Sequence, residues 1–286
     1  MLVPRLASTV LVLRDNAPGP EVFMVRRHEG TAFMAGAHVF PGGAVDQTDY
    51  DADDSWCDGL TGATRQLSDI PGEEAAAHHV AAARELFEEA GVLLARDAQG
   101  RFVSLAGQDP QLRFTHYRRR VHNGELPLRT MLEREHLRLA LDALIHFAHW
   151  VTPPVDTRRF DTRFFMARVP PHQMPAHDER ETTHSTWLSA AAALASAQVN
   201  EITLPPPTWT TLREIEPFAS VDEALAWADR RHVIRREPRV LDWEGRRVLV
   251  MPGDALHPEP AADGPLSETR FVLVDGRWVP EPAGQP

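Results

Sequence analysis

Arg84-Glu85-Leu86-Phe87-Glu88-Glu89-Ala90-Gly91-Val92 is the stretch on which the reading of this chain turns. Read as a helix that stops at Gly91, it places Glu85, Glu88 and Glu89 at i, i+3 and i+4, so the three carboxylates share one face. Ala76, Val80, Ala83, Leu86, Phe87 and Ala90 fall on the opposite side as an apolar stripe suited to a core. Arg84 stands one turn before Glu88 and can pair with it, but one arginine does not neutralise three glutamates. Like charges at this spacing cost roughly a few tenths of a kcal/mol per pair. A bound cation removes that cost, and magnesium, a hard ion that takes carboxylate oxygens and keeps positions open for water and phosphate, is the natural choice. Gly91 suits the left-handed position just past a helix end. The competing reading is a solvated acidic surface.

Upstream lies Phe40-Pro41-Gly42-Gly43, followed by Ala44-Val45-Asp46. Together the two stretches resemble the ends of the Nudix box, G-x5-E-x7-R-E-U-x-E-E-x-G-U, with U a bulky aliphatic residue. Arg84 to Val92 match the second half at every specified position. The motif's first glutamate falls at Ala76, with Glu73 and Glu74 out of register, and the gap from Gly43 to Arg84 is far longer than the motif allows. Residues 46–71 therefore read as an insertion that splits the box, acidic at first (Asp49, Asp51, Asp53, Asp54) and then Gly- and Ser-containing.

Composition narrows the classes. At 43% hydrophobic and 25% charged, the chain is an ordinary globular protein. A net charge of −11 argues against a general nucleic-acid binder. All 30 basic residues are Arg, which excludes a phosphate-loop lysine, a Schiff-base lysine and a lysine base. Cys57, the single cysteine, excludes an intrachain disulfide and a cysteine-cluster zinc site. No apolar run approaches the ~18 residues of a membrane span, and no targeting segment is evident, so the cytoplasm is the expected compartment.

Residues 7–14 and 21–28 predict a hairpin, 37–40 a short strand running into the glycine pair, and about 73–90 the box helix. Residues 110–123 and 128–141 predict helices. Residues 144–151, 162–169 and 184–188 predict strands, the second of them apolar on both faces and so covered by helices on both sides. An Ala-rich helix follows Ser189. Beyond the Pro205-Pro206-Pro207 break come two helices and two hairpin-like segments.

Trp150 to Phe165, Leu204-Pro205-Pro206-Pro207-Thr208 and Met251-Pro252-Gly253-Asp254 extend the resemblance along most of the chain. They are similar to the Nudix branch that includes the peroxisomal mammalian coenzyme A diphosphatase, whose box is likewise split. The resemblance implies an α/β fold: a Nudix α/β/α sandwich with a mixed β-sheet at 1–203, carrying the 46–71 insertion. A C-terminal α+β extension at 204–286 packs on the same domain. It also implies hydrolysis, with Mg2+ or Mn2+, of a nucleoside diphosphate linked to another moiety. Coenzyme A or acyl-CoA is the first substrate. ADP-ribose, dinucleotides or nucleotide sugars are the alternative, as is a module that binds a nucleotide without cleaving it. No nucleic-acid or membrane partner is expected, and a homodimer is admitted as an assembly.

The site residues follow from that resemblance. Glu88 and Glu89 match the paired metal-holding glutamates, and Glu85 matches a third ligand or the base. Arg84 orients a glutamate, and the Gly42 carbonyl is a further ligand. Glu181, in a polar loop before the last core strand, is the candidate base from outside the box, ahead of Glu179. Arg158, Arg159 and Arg163 are candidates for substrate phosphate, with pairing to Asp156 and Asp161 as the alternative. His78 and the run Arg118-Arg119-Arg120 read as solvated.

Overall fold

The computed structural model describes residues 2–30, 34–178, 182–260 and 268–281. The chain opens with β1 (Arg5–Arg14), β2 (Glu21–Arg27), β3 (His38–Val39) and β4 (Gly42–Ala44). A 3-10 turn (Gln47–Asp51), β5 (Cys57–Asp58) and α1 (Leu60–Gln66) lead into the box helix α2 (Gly72–Ala90). There follow β6 (Ala95–Arg96), α3 (Gln108–His122), α4 (Leu128–Arg134), β7 (Arg138–Ala140), β8 (Ile145–Val151), β9 (Phe160–Arg168) and β10 (Thr182–Ser189). The remainder is α5 (Ala190–Gln198), α6 (Pro206–Ile215), α7 (Val221–Arg230), β11 (Arg235–Arg236), β12 (Arg239–Trp243), β13 (Arg246–Val250), β14 (Arg270–Val274) and β15 (Arg277–Glu281).

The main sheet runs β10-β2-β1-β9-β8-β11 and is mixed, with β1 parallel to β9 and β8 parallel to β11. β1 and β2 pair only next to their turn, at Leu13–Val22 and Arg14–Glu21. Beyond it they separate, and the β3–β4 segment enters the gap: Val25 and Arg26 of β2 pair with β3, and Ala7 to Thr9 of β1 pair with β4. This wedge carries the glycine pair into the sheet beside the box helix.

Strand alternation fixes the two faces. Val10 and Val12 of β1, Phe23 and Val25 of β2 and Phe165 and Ala167 of β9 meet Val80, Ala83, Leu86, Phe87 and Ala90 of α2 in one core. Leu11, Leu13, Val22, Met24, Phe164 and Met166 point the other way. They pack with Leu194 of α5, Trp209, Leu212 and Ile215 of α6, Val221, Ala224 and Ala228 of α7, and Leu249 and Phe271 of the four-stranded β12–β15 sheet. The central strands are thus apolar on both faces because helices cover both. Residues beyond 203 contribute to that second core.

The structure adds to the reading of the insertion and changes that of one helix. The insertion folds: Trp56, Cys57, Ala63 and Leu67 are buried in the core on the α2 side, and β5 joins β7 and β6 in a small sheet. Burial pushes the Cys57 thiol up to about 12, which leaves it unreactive. The helix predicted for 128–141 ends at Arg134, because His136 takes a left-handed conformation (φ 54°) that a right-handed helix cannot continue. Residues 138–140 then pair as β7.

Leu212 lies on α6 with no exposed surface. Leu212→Ala is expected to cost about 2–5 kcal/mol of unfolding free energy. The loss should appear as a shift of one cooperative urea transition of the whole chain. A separate transition for the residues beyond 203 would instead divide the chain into two folding units.

Candidate active site

Helix α2 ends as the sequence predicts. Gly91 adopts φ 69° and its N–H donates to the Phe87 carbonyl at 3.0 Å. The carboxylates of the last two turns face β4, and the ladder explains what they meet. Val10 and Val45 donate to Pro41 and Leu6 across the β1–β4 pair, so the alternate positions, Gly42 and Ala44, turn their polar groups away from β1. The Gly42 N–H accordingly donates to Glu89 Oε2 at 2.9 Å, and the Ala44 carbonyl accepts from Arg84 Nη2 at 2.9 Å. Gly42 is required by close approach to the β1 backbone, whereas Gly43 faces the movable end of the Glu85 side chain. A Cβ at Gly42 would stand 2.4 Å from the Ser8 carbonyl oxygen, and one at Gly43 would stand 2.4 Å from Glu85 Oε1.

Arg84 is the centre of this arrangement. Its Nε and Nη2 donate to the two carboxylate oxygens of Asp49, each at 2.9 Å. Its Nη1 donates to Glu85 Oε1 at 2.8 Å and to Glu88 Oε1 at 3.2 Å. Burial works against its charge, but the Asp49 hydrogen bonds and the carboxylates around it outweigh that and raise its pKa. In the sequence Asp49 is one acid among several in the 46–71 segment. Its separation from Arg84 by 35 positions gives no local signal.

The carboxylate face is not on the solvent side of the helix, as its phase alone suggests. Glu88 and Glu89 are only 7% and 3% exposed, because β4, the 3-10 turn and α3 close over them. Burial pushes the Glu88 carboxyl up, partly offset by Arg84. His122 Nδ1 of α3 stands 3.5 Å from Glu88 Oε2. Arg118 of the same helix donates from Nε to the Glu88 carbonyl at 2.8 Å, and is half-buried rather than solvated. A side chain at Gly91 would approach its guanidinium to 3.2 Å.

The donor set fits a hard divalent cation in its chemistry: three carboxylates on adjacent turns and a glycine carbonyl turned away from its own ladder. Among the described residues no group of three His, Cys, Asp or Glu stands ready-made around one point. In this arrangement Glu85 and Glu88 lie on Arg84, and Glu89 lies on the Gly42 N–H.

The other candidates separate. Glu181 and Glu179 lie outside the described residues. Arg158 is exposed. Arg159 and Arg163 are buried and committed to protein partners, which corrects their reading as phosphate ligands. Arg159 pairs with Glu237 and donates to the Thr152 and Leu2 carbonyls. Arg163 pairs with Asp69 at 2.6 Å. Neither partner is Asp156 or Asp161. His78 is buried as well: the strand–helix contact brings its Nδ1 within 3.0 Å of the Ser8 hydroxyl, which also donates to the His78 carbonyl. His79 and His146 flank the Phe165 ring beside it.

Two outcomes follow from these placements. Arg159→Ala leaves the largely buried Glu237 carboxylate with Arg235 as its remaining partner and is expected to cost about 1–3 kcal/mol in urea unfolding. Burial, chiefly, pushes His78 and His79 down to about 4 and His146 to about 3. These rings are neutral in the folded chain, whereas in the unfolded chain they take up protons below their ordinary value of 6.5. Their contribution to stability is therefore fully present above pH 6.5 and is lost as the pH falls toward 4. Urea midpoints measured across that window should fall with pH, and a flat profile would contradict neutral burial.

Comparison with known proteins identifies the family. The family model described as the NUDT19 Nudix domain matches residues 61–215. The human acyl-coenzyme A diphosphatase NUDT19 is 31% identical over 285 residues, covering 85% of this chain and 74% of that protein. Its Xenopus laevis counterpart is 27% identical over 285 residues, covering 86% and 73%. Among solved structures, a Nudix hydrolase from Alicyclobacillus acidocaldarius superposes with a TM-score of 0.65 at 26% identity, covering 79% of this chain and 97% of that one. With the split box, the mixed sheet and the buried carboxylate helix in place, the chain belongs to the Nudix hydrolases, in the branch defined by the NUDT19 Nudix domain.

Proposed function

We propose that this Nudix hydrolase cleaves the diphosphate of coenzyme A or an acyl-CoA, giving 3′,5′-ADP and (acyl-)phosphopantetheine. The observation that carries the chemistry is the Arg84–Glu85–Glu88–Glu89 constellation closed against Gly42. The substrate is supported by the human relative's name, acyl-coenzyme A diphosphatase, at 31% identity over most of both chains. Nudix hydrolases generally use divalent cations. In this reading Mg2+ or Mn2+ is held by Glu85, Glu88, Glu89 and the Gly42 carbonyl. When bound, such an ion offsets the charge of the diphosphate and acts as a Lewis acid toward it.

The chain's own residues do the rest. Arg84 orients Glu85 and Glu88. Glu85 or Glu181 accepts the proton of the attacking water. The enclosure of Glu88 and Glu89 by β4 and α3 strengthens every charge interaction there. Arg158 is the member of the arginine trio left to meet the 3′-phosphate. The cytoplasmic location and a homodimer belong to the same proposal on sequence grounds. So does the division into a 1–203 catalytic unit with an extension.

Glu88→Gln and Glu89→Gln are each expected to lower kcat by at least ~10²-fold, beyond the usual effect of losing an outer-shell partner of a metal site. Far-UV circular dichroism should stay native. Normal turnover at saturating Mg2+ would remove these residues from the site. Products from coenzyme A, dephospho-coenzyme A and ADP-ribose, read by mass, test the substrate. Coenzyme A should have the highest kcat/KM, and faster cleavage of ADP-ribose would overturn the choice while leaving the hydrolase chemistry standing.

A further inference from the structure

We infer that Asp49, carried by the segment that splits the box, is a positioning residue of the site. It holds the Arg84 guanidinium from the side away from the carboxylates and so leaves Glu85 and Glu88 available to a cation. The inference rests on the reading of Glu85 and Glu88 as cation ligands.

The donor count makes the case. A guanidinium has five N–H groups in a rigid plane. Among the described residues five oxygens accept hydrogen bonds from Arg84: Asp49 Oδ1 on Nε, Asp49 Oδ2 and the Ala44 carbonyl on Nη2, and Glu85 Oε1 and Glu88 Oε1 on Nη1; Asp46 Oδ2 adds a longer ion pair to Nη2 at 3.8 Å. Every donor is used, so the plane of the group is fixed. The edge facing Glu85 and Glu88 is set by the opposite edge, which Asp49 grips in a two-point fork.

Asp49 is itself immobilised. It is 1% exposed, and its Oδ2 also accepts the Asp46 N–H at 2.8 Å, so the turn that presents it is closed by the same carboxylate. The charge count points the same way. Asp49 takes up the charge of Arg84 on one edge, so Glu85 and Glu88 on the other keep an excess of negative charge. Without Asp49, the full attraction of Arg84 falls on Glu85 and Glu88, and a cation must compete with it for the same oxygens. Position 76, where the motif has a glutamate, is alanine. The intervening segment brings its own carboxylate to the box arginine.

The test measures Mn2+ binding to the full chain without substrate, from the paramagnetic resonance signal of free Mn2+, together with thermal melting in a chelator and kcat with Mg2+. The variants are Asp49→Asn, Glu88→Gln, Arg84→Gln and the double variant Asp49→Asn/Arg84→Gln. Asp49→Asn is expected to weaken Mn2+ binding by about 10–100-fold, as outer-shell partners of metal ligands do. In the Arg84→Gln background the same change should alter Mn2+ affinity by no more than about twofold, because its route is gone. Wild-type Mn2+ affinity and kcat in Asp49→Asn, with only the melting temperature lowered, would make Asp49 purely structural and overturn the proposal. Equal weakening in both backgrounds would overturn the route through Arg84. If Glu88→Gln leaves Mn2+ binding unchanged, the site reading itself fails, an outcome separate from either. Should Asp49→Asn not fold, Asp49→Glu is read in its place. It keeps the charge but displaces it by one methylene and should weaken Mn2+ binding several-fold, and wild-type affinity with wild-type kcat would again overturn the proposal.

Discussion

The site depends on one buried cation. Arg84 is nearly out of water, and a guanidinium taken there without partners would be strongly destabilising. Its neighbours are therefore a condition of the fold as well as of any chemistry. They come from three places: the last turns of the box helix, the glycine-containing strand β4, and the 3-10 turn after it. Bringing these together is what the separation of β1 and β2 accomplishes, because β4 can reach the box helix only through the gap they leave. The constraint thus runs from a single side chain to the topology of the sheet.

Steric limits act beside the electrostatic ones. Gly42 is in extended strand geometry, so its need for glycine comes from crowding by the β1 backbone and not from an unusual backbone angle. At Gly91 both reasons hold, since the residue has a positive φ and also lies against Arg118. α3 thereby seals the C-terminal end of the box helix with a charge that meets the Glu88 carbonyl, where the helix dipole favours a cation. The enclosed Glu88 carboxyl, pushed up by burial and held down by Arg84, is poised between two opposing forces.

What could be read in the sequence was whatever depends on near neighbours. The phase of Glu85, Glu88 and Glu89, the stop at Gly91, the hairpin and the doubly apolar strand at 162–169 are all set within a few residues. The resemblance of the split box added the fold and the chemistry. What could not be read depends on residues far apart in sequence. Asp49 meets Arg84 across 35 positions, Arg118 meets Glu88 across 30, and Arg163 meets Asp69 across 94. A charged face that looks solvated on a helical wheel becomes buried when another segment closes over it. His78 and Arg118, which look solvated on their helices, are enclosed for that one reason. The stop of the helix at His136 is a different failure, since nothing in its local composition announces a left-handed residue.

The position of β1 also has a consequence for how the protein is made. β1 lies in the interior of the sheet and pairs residue for residue with β9, a strand made much later in the chain, from Arg5–Phe160 to Leu13–Arg168. Its second face waits longer still, for α6, α7 and finally Phe271. At about 5–20 residues per second, the interval between β1 and Phe271 is roughly 15–50 s. Until β9, α6 and α7 are made, the apolar run Val10 to Leu13 lacks most of the neighbours that finally cover it. β1 therefore cannot complete its packing as it is made, and its apolar side chains must be kept from aggregating until β9 and the later helices have followed it.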